Sequence, residues 1–480
     1  MATIGSLGVG SGLDLNGLLD KLAAAEQQPL TAIKTRQAGY NGKLSAYGTV
    51  QSLLGSFQAA GKKLADPAFM GAFKATSSAA DVLGASADTT AAGGSYQVDV
   101  AQLARGQALV AGGVASTTAP IDSGAATTVT IDFGAIAGTF NATTGTYDPG
   151  ATFTADTARS QVSLTIDSSN NTLAGVRDAI NKAAGAAVSA TIVNDGSSNR
   201  LVLTSSVTGK SSSMQIKVTG DAAVQSLLAN DPAGVQALRQ TAAAADAALT
   251  VNGIAVTSPG NTVASAIQGV TLTLAATGSS VVKLERDTAS VKAAITDFVS
   301  GYNKLQGKLK DLSAYDAVKK TGAALMGDSA VRIIQSRLRS ALVEPQAGEV
   351  GDPKLLSAIG VTFHLDGTLS VDAAKLDAAL SSNPTGVGRL FTGGGAATGL
   401  ARNISTTIDG FSAAEGLLKV ATDGANNTVR RLGDDYDAMQ DRIDAKLARY
   451  RTQFQQLDAM MSAMNSTSSY LAQQFAKKAE

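Results

Sequence analysis

The 480-residue chain has no cysteine, no tryptophan and one histidine, and only 4% of its residues are aromatic. Without cysteine there are no disulfides, no thiolate metal ligands and no thiol nucleophile. The single imidazole, His364, builds neither a multi-histidine metal site nor a pair of acid–base imidazoles. So few aromatics leave little with which to stack bases or sugars. Neither charge is in excess. The 39 Lys and Arg balance 39 Asp and Glu, so no basic surplus exists to neutralise phosphates, and no nucleic acid is expected as a partner. No run approaches the ~18 apolar residues of a membrane span, so no membrane insertion is expected either. A secretory leader is not expected: the first basic residue is Lys21, and glycines from Gly5 to Gly12 interrupt any apolar stretch. What is abundant is glycine, 50 residues, above the ~7% of average usage. At ~150 residues per domain, the length suggests about three domains.

Both ends read as helices. Leu15, Leu18, Leu19 and Leu22 form one apolar stripe, with Asp14 as a candidate N-cap. Pro29 then breaks or restarts the helix. Leu30, Ile33, Gln37, Tyr40, Leu44, Tyr47, Gln51, Leu54, Phe57 and Leu64 follow in steps that are mostly three and four, the seam of a coiled coil, until Asp66-Pro67 ends it. At the other end Leu432, Tyr436, Met439, Ile443, Leu447, Tyr450, Phe454, Leu457, Met461, Met464, Ser468, Leu471 and Phe475 repeat the pattern, with a stutter at Ile443. A helix from Tyr436 to Phe475 would span roughly 60 Å. Val291, Ile295, Phe298, Tyr302, Leu305, Leu309 and Leu312 form a third seam, and a further amphipathic helix is expected from Ser329 to Leu342.

The middle reads as strands. Alternation marks 96–100, 129–133 and 162–166. A short helix from Leu173 to Ala183 precedes strands near 188–193, 201–204 and 214–218. Strands resume at 248–256 and 270–274. A separate hairpin is expected at 361–371, turning at Asp366-Gly367. The long terminal helices must bury their stripes, and each is the other's expected partner, with β domains inserted between them. The alternative is that each packs on another subunit.

Candidate chemical sites are few. His364 shares the polar face of a hairpin with Thr362 and Asp366 and lacks the elbow motif of a hydrolase. Asp434, Asp435 and Asp437 lack the glycine and closing glutamate of a calcium loop, and read as dipole-friendly residues in a helix's first turns. Gly8-Val9-Gly10-Ser11-Gly12 follows no strand and reads as a flexible arm rather than a phosphate loop. No catalytic, cofactor or metal residue is singled out. The terminal helices carry the information instead. From Thr452 to Ala476 the only charge is Asp458, and Met439, Met460, Met461 and Met464 crowd the last helix, where methionine adapts to varied partners. Gly39, Gly42 and Gly48 weaken the first helix pair by ~1 kcal/mol each relative to alanine.

Several motifs then occur in one order. Ser11-Gly12-Leu13-Asp14-Leu15-Asn16-Gly17-Leu18-Leu19-Asp20-Lys21-Leu22 with Glu26 and Pro29 comes first, followed by 73–78, 94–104 and Asn252-Gly253. After these come Asn261-Thr262, 269–274, Phe298-Val299-Ser300-Gly301-Tyr302-Asn303, Ile359-Gly360-Val361 and Leu471-Ala472-Gln473-Gln474-Phe475. Together they resemble the flagellar filament cap family, hook-associated protein 2. The stretch 172–209 resembles a small β module of flagellins and hook-associated proteins, and 111–160 resembles nothing assignable.

The resemblance implies an α+β multidomain fold in which the terminal helices pair as a coiled-coil or helical-bundle stalk bearing mainly-β heads. Residues 1–45 and 436–480 would form a terminal leg, flexible when free. Residues 46–76 and 287–435 would form the bundle with its hairpin. Residues 77–115 and 241–286 would form a β head, with 116–240 inserted as an outer β domain. It implies a homo-oligomeric ring at the extracellular filament tip, exported through the type III channel without a cleaved signal and promoting flagellin insertion. No cofactor and no enzyme activity are implied. Flagellin and hook–filament junction proteins are implied partners, with an export chaperone on the C-terminal helix. The expected assembly seam is Leu15, Leu18, Leu22, Leu30, Ile33, Tyr40, Leu44, Tyr47, Tyr436, Ile443, Leu447, Tyr450, Phe454, Leu457, Met461, Met464 and Leu471. An adhesin binding host glycans through the outer β domains, or another axial protein such as flagellin, is the alternative.

Overall fold

The computed structural model describes residues 8, 11–318, 320–394 and 397–476. The fold is α+β. Its helices are α1 (Leu15–Glu26), α2 (Gln28–Leu64), α3 (Pro67–Met70), α4 (Leu173–Ala184), α5 (Ala222–Leu228), α6 (Thr288–Ser313), α7 (Ser329–Val343), α8 (Ala373–Ser382), α9 (Pro384–Thr392), α10 (Leu400–Ser412) and α11 (Leu417–Ala476). The chain divides into two compact units. One joins the two ends, up to Met70 and from Thr288. The other is Gly71–Asp287.

The first unit is helical because its apolar residues recur at helical spacing and its helix starts are capped. Asp14, Asp328 and Asn383 each accept a backbone N–H of the first turn at 2.8 Å, which satisfies donors that helical bonding leaves free. Pro29 sits at the start of α2, where its missing N–H costs nothing. The core is built on aromatic contacts: Phe57 of α2 lies 4.8 Å from Phe298 of α6, and Phe298 meets Phe391 of α9 edge-on at 6.2 Å. Asn303 uses both ends of its amide on Leu369, donating to its carbonyl and accepting from its N–H, each at 2.7 Å. That locks the hairpin Val361–Phe363/Leu369–Val371 onto α6. In the loop after α7, the Asp352 side chain, 3% exposed, accepts two hydrogen bonds from Arg389 of α9 at 2.7 and 2.9 Å. This guanidinium holds the Asp352 carboxyl down at about 2.

The second unit is antiparallel β. Its five-stranded sheet runs Phe73–Ser77, Gly278–Arg286, Gly94–Gln102, Ala247–Val251, Ile254–Ser258, and shares a core with the three-stranded sheet Thr262–Ile267, Val270–Leu274, Leu83–Ala87. A second core lies under two four-stranded sheets and the helices α4 and α5. The unassigned stretch 111–160 supplies the strand Thr127–Ala137, which pairs with Ser213–Thr219 along one edge and with Thr152–Ala155 and Val162–Ile166 along the other. The chain leaves the first core and returns to it where Arg105 and Ala245 exchange backbone hydrogen bonds of 2.9 and 3.0 Å.

Several sequence expectations are corrected. The last helix begins at Leu417 rather than near Leu432, because Ala421 and Ala425 fill seam positions that look polar in a pattern of large residues. Its 60 residues correspond to about 90 Å. Asp434, Asp435 and Asp437 therefore lie well inside a helix, on its exposed side, and not in its first turns. Residues 73–76, expected with the bundle, form an edge strand against Gly278–Arg286. The run 248–256 is a hairpin, since Asn252 and Gly253 both take positive φ. Leu365 does not continue the apolar alternation of its hairpin; it stands fully exposed at the turn.

Candidate assembly surface

The terminal helices pair within the chain. Lys34 places its ammonium 4.9 Å from the ring centre of Tyr436. Glu26 accepts a hydrogen bond from Lys446, which raises the lysine's pKa. The backbone N–H of Ser11 donates to Asp458 at 2.7 Å. The partners run in opposite directions along the chain, so α1 and the first half of α2 lie antiparallel to α11. Gln58, further along α2, reaches Ser405 and Asp409 of α10 at 2.9 and 2.7 Å.

Cover thins along this pairing. Up to Ala46 on α2 and Leu418 on α11 the bundle core is continuous. Tyr47 belongs to it: buried, its hydroxyl donates to Asp328 at 2.5 Å, and burial and then that carboxylate push its pKa above the usual tyrosine value. Farther out, Leu15, Leu30, Ala425, Leu432 and Ile443 are buried. Leu22, Ile33, Tyr40, Leu44, Tyr436, Leu447, Tyr450, Phe454 and Met461 are only half-buried. Leu18 is 46% exposed, Leu457 41%, Met464 59% and Leu471 48%. Met460 and Tyr470, absent from the expected seam, add to this exposed apolar surface.

The seventeen seam residues thus fall into three sets: Tyr47, Leu15, Leu30 and Ile443 are buried inside the chain, nine are half-buried, and Leu18, Leu457, Met464 and Leu471 are exposed. The polar ties Glu26–Lys446, Lys34–Tyr436 and Ser11–Asp458 were missed by the seam pattern, which counts apolar residues only. Asp458 alone carried a signal, as the single charge in its stretch.

His364 is exposed on its hairpin, and its backbone N–H donates to the Thr368 carbonyl at 2.8 Å. Among the described residues no three His, Cys, Asp or Glu side chains come together as metal ligands, and no helix is long and apolar enough to cross a membrane.

Comparison with known proteins gives this geometry a family. Residues 11–107 match the model for the flagellar hook-associated protein 2 N-terminus and residues 244–466 that for its C-terminus. Flagellar hook-associated protein 2 of Escherichia coli (strain K12) is 38% identical over 99% of this chain and 98% of its own length. That of Salmonella typhimurium is 34% identical over 99% of both. The crystal structure of the D1-D2-D3 domains of the flagellar cap protein FliD from Escherichia coli is 33% identical, covers 79% of this chain and 99% of its own, and superposes with a TM-score of 0.67. The chain belongs to the flagellar hook-associated protein 2 family.

Proposed function

We propose that this chain caps the distal tip of a bacterial flagellar filament as a homo-oligomeric ring and admits flagellin subunits to their insertion site. The observation that carries the reading is the outer half of α11. It exposes Leu457, Met460, Met464 and Leu471 and has one charge from Thr452 to Ala476. Exposed apolar surface of this extent is costly in water unless another chain covers it, and helices short of internal support order themselves by packing. Residues 1–45 and 436–480 act as legs, 46–76 and 287–435 as the bundle, and 77–115 with 241–286 and the inserted 116–240 as outer β domains. The work is mechanical: no cofactor and no covalent step are involved. Flagellin and the hook–filament junction proteins are the partners outside the ring. Before export an unfolded C-terminal helix is shielded by a chaperone, and the protein leaves through the flagellar channel without a cleaved signal.

The test is complementation of a strain lacking its own cap with Leu447→Asp and Leu457→Asp combined. Flagellin should then appear in the medium as monomer and swimming should be lost, while the purified variant keeps its helical and β content. Filaments of ordinary length would overturn the reading.

A further inference from the structure

Two sets of unpaired charge on the helical unit match each other. Between α2 and α6 runs a groove of about 680 Å³, lined by Ser45, Gly48, Ser52 and Leu53 of α2 and by Lys304 and Lys308 of α6. It is open because α2 turns small side chains outward here: a Cβ built on Gly48 meets nothing within 4 Å. Leu53 lies half-buried along it, packed against the bundle core. The α2 sequence has no charged residue from Leu44 to Gly61, so no acid on that side neutralises the lysines. Among the described residues neither lysine side chain has an ion-pair or hydrogen-bond partner. Asp297 and Asp311, exposed on the same helix, stand about two turns before and one turn after the pair and bound the basic patch.

The opposite charge lies on α11. Asp434, Asp437 and Asp441 are exposed, and their carboxylates likewise have no partner among the described residues. They sit roughly 120–180° around the helix from Leu432 and Ile443, which are buried. Exposed Ala438 and Ala445 lie on the same side. This acidic ridge faces away from α2, so a chain does not bring it to its own groove. Asp437 and Asp441 are four residues apart, as are Lys304 and Lys308, a rise of about 6 Å in both helices.

We propose that the acidic ridge of α11 in one copy of this chain seats in the lysine-rimmed groove of the next, with Asp437 and Asp441 on Lys304 and Lys308. Exposed ion pairs alone contribute little. Complementary sign selects the partner, and small residues on both sides let the helices approach closely. The contact is heterologous, since each copy offers a groove to one neighbour and a ridge to the other; such contacts generate a ring where the rotation closes. Because Lys34 packs on Tyr436, the ridge lies farther out along the helix pair than the groove, and closure requires the helices to be inclined to the ring axis. The choice of a second copy as occupant rests on the ring proposed above; the match of groove and ridge does not.

The test reverses each side. Lys304→Glu with Lys308→Glu reverses the groove, and Asp437→Lys with Asp441→Lys reverses the ridge. All four sites are exposed, so helical and β content should persist. In sedimentation of the full chain, each reversed protein alone should self-associate about tenfold more weakly or worse, because like charges then face each other. An equimolar mixture of the two should recover most of that loss, since groove-reversed and ridge-reversed copies can alternate. Gly48→Leu fills the groove without changing charge. It should raise the thermal stability of the free chain, because glycine is a poor helix former, and weaken association by a similar factor. A mixture no better than its components would overturn the proposal. So would a wild-type chain that is monomeric at every concentration, or unchanged association in either reversed protein; if filament growth in complemented cells were lost all the same, the groove would belong to another chain such as flagellin. Association that follows the charge pattern in a protein that does not cap filaments would leave the contact standing and overturn the capping reading alone.

Discussion

The same two helices behave differently at their two ends. Where α2 meets α6 and α10, the apolar seam side chains are enclosed: Leu54, Phe57 and Leu64 are buried in one core with Phe298, Tyr302 and Phe391. Where α1 and the start of α2 meet the outer half of α11, two elements share one narrow contact and only scattered residues are buried. The sequence pattern is alike in both places. Burial requires neighbours on several sides, so a heptad seam yields a core in a bundle and a half-covered stripe in a lone pair. The bundle end encloses its apolar side chains within this chain, and the outer end leaves several of them exposed.

Breaking the bundle end should have the largest effect. Phe298→Ala removes a fully buried ring from contact with Phe57 and Phe391 and should cost about 3–5 kcal/mol in urea unfolding. The Asp352–Arg389 clamp gives the next effect and a pH signature. Its folded pKa of about 2 lies below the unfolded value of ~3.9. Its contribution is therefore complete at neutral pH, begins to fall below pH ~4, and is lost as the pH drops through about 2. Asp352→Asn should flatten the acid-unfolding curve of the bundle in that window and leave the outer helices unaffected.

The outer end should respond in the opposite direction. A Cβ added at Gly39 or Gly42 meets nothing within 4 Å, so the two alanine substitutions should stabilise α2 by about 1 kcal/mol each. Circular dichroism at rising temperature would measure the gain. If the legs must adapt to unequal positions in a ring, the same variants should swim less well. The smallest effect on stability is expected for Met464→Ala, within about 0.5 kcal/mol in the free chain, as for any exposed substitution. It should still impair filament growth, and normal growth would show that this face stays uncovered.

The amino-acid sequence by itself determined where the helices and most strands lie. Asp14 as cap, Pro29 as restart, the seam of α6 and the Asp366-Gly367 turn all act within a few residues of where they are written. They depend on backbone sterics and local hydrogen bonds. The stretch 111–160 was illegible because its short strands become distinct only when paired across long separations with Ser213–Thr219. The start of α11 was hidden for a related reason, since alanine counts as core only when a neighbour lies against it. Asparagines show the limit most clearly. Asn303 on Leu369, Asn261 on Ala104 and Asn181 on Ala190 each pair both backbone groups of one distant or looped residue, and nothing in their sequence context announces it. Tyr47 and Leu457 occupy matching places in a written seam, yet one is sealed against Asp328 and the other faces water. Only the tertiary structure decided that, because burial is a property of what surrounds a side chain and not of the side chain itself.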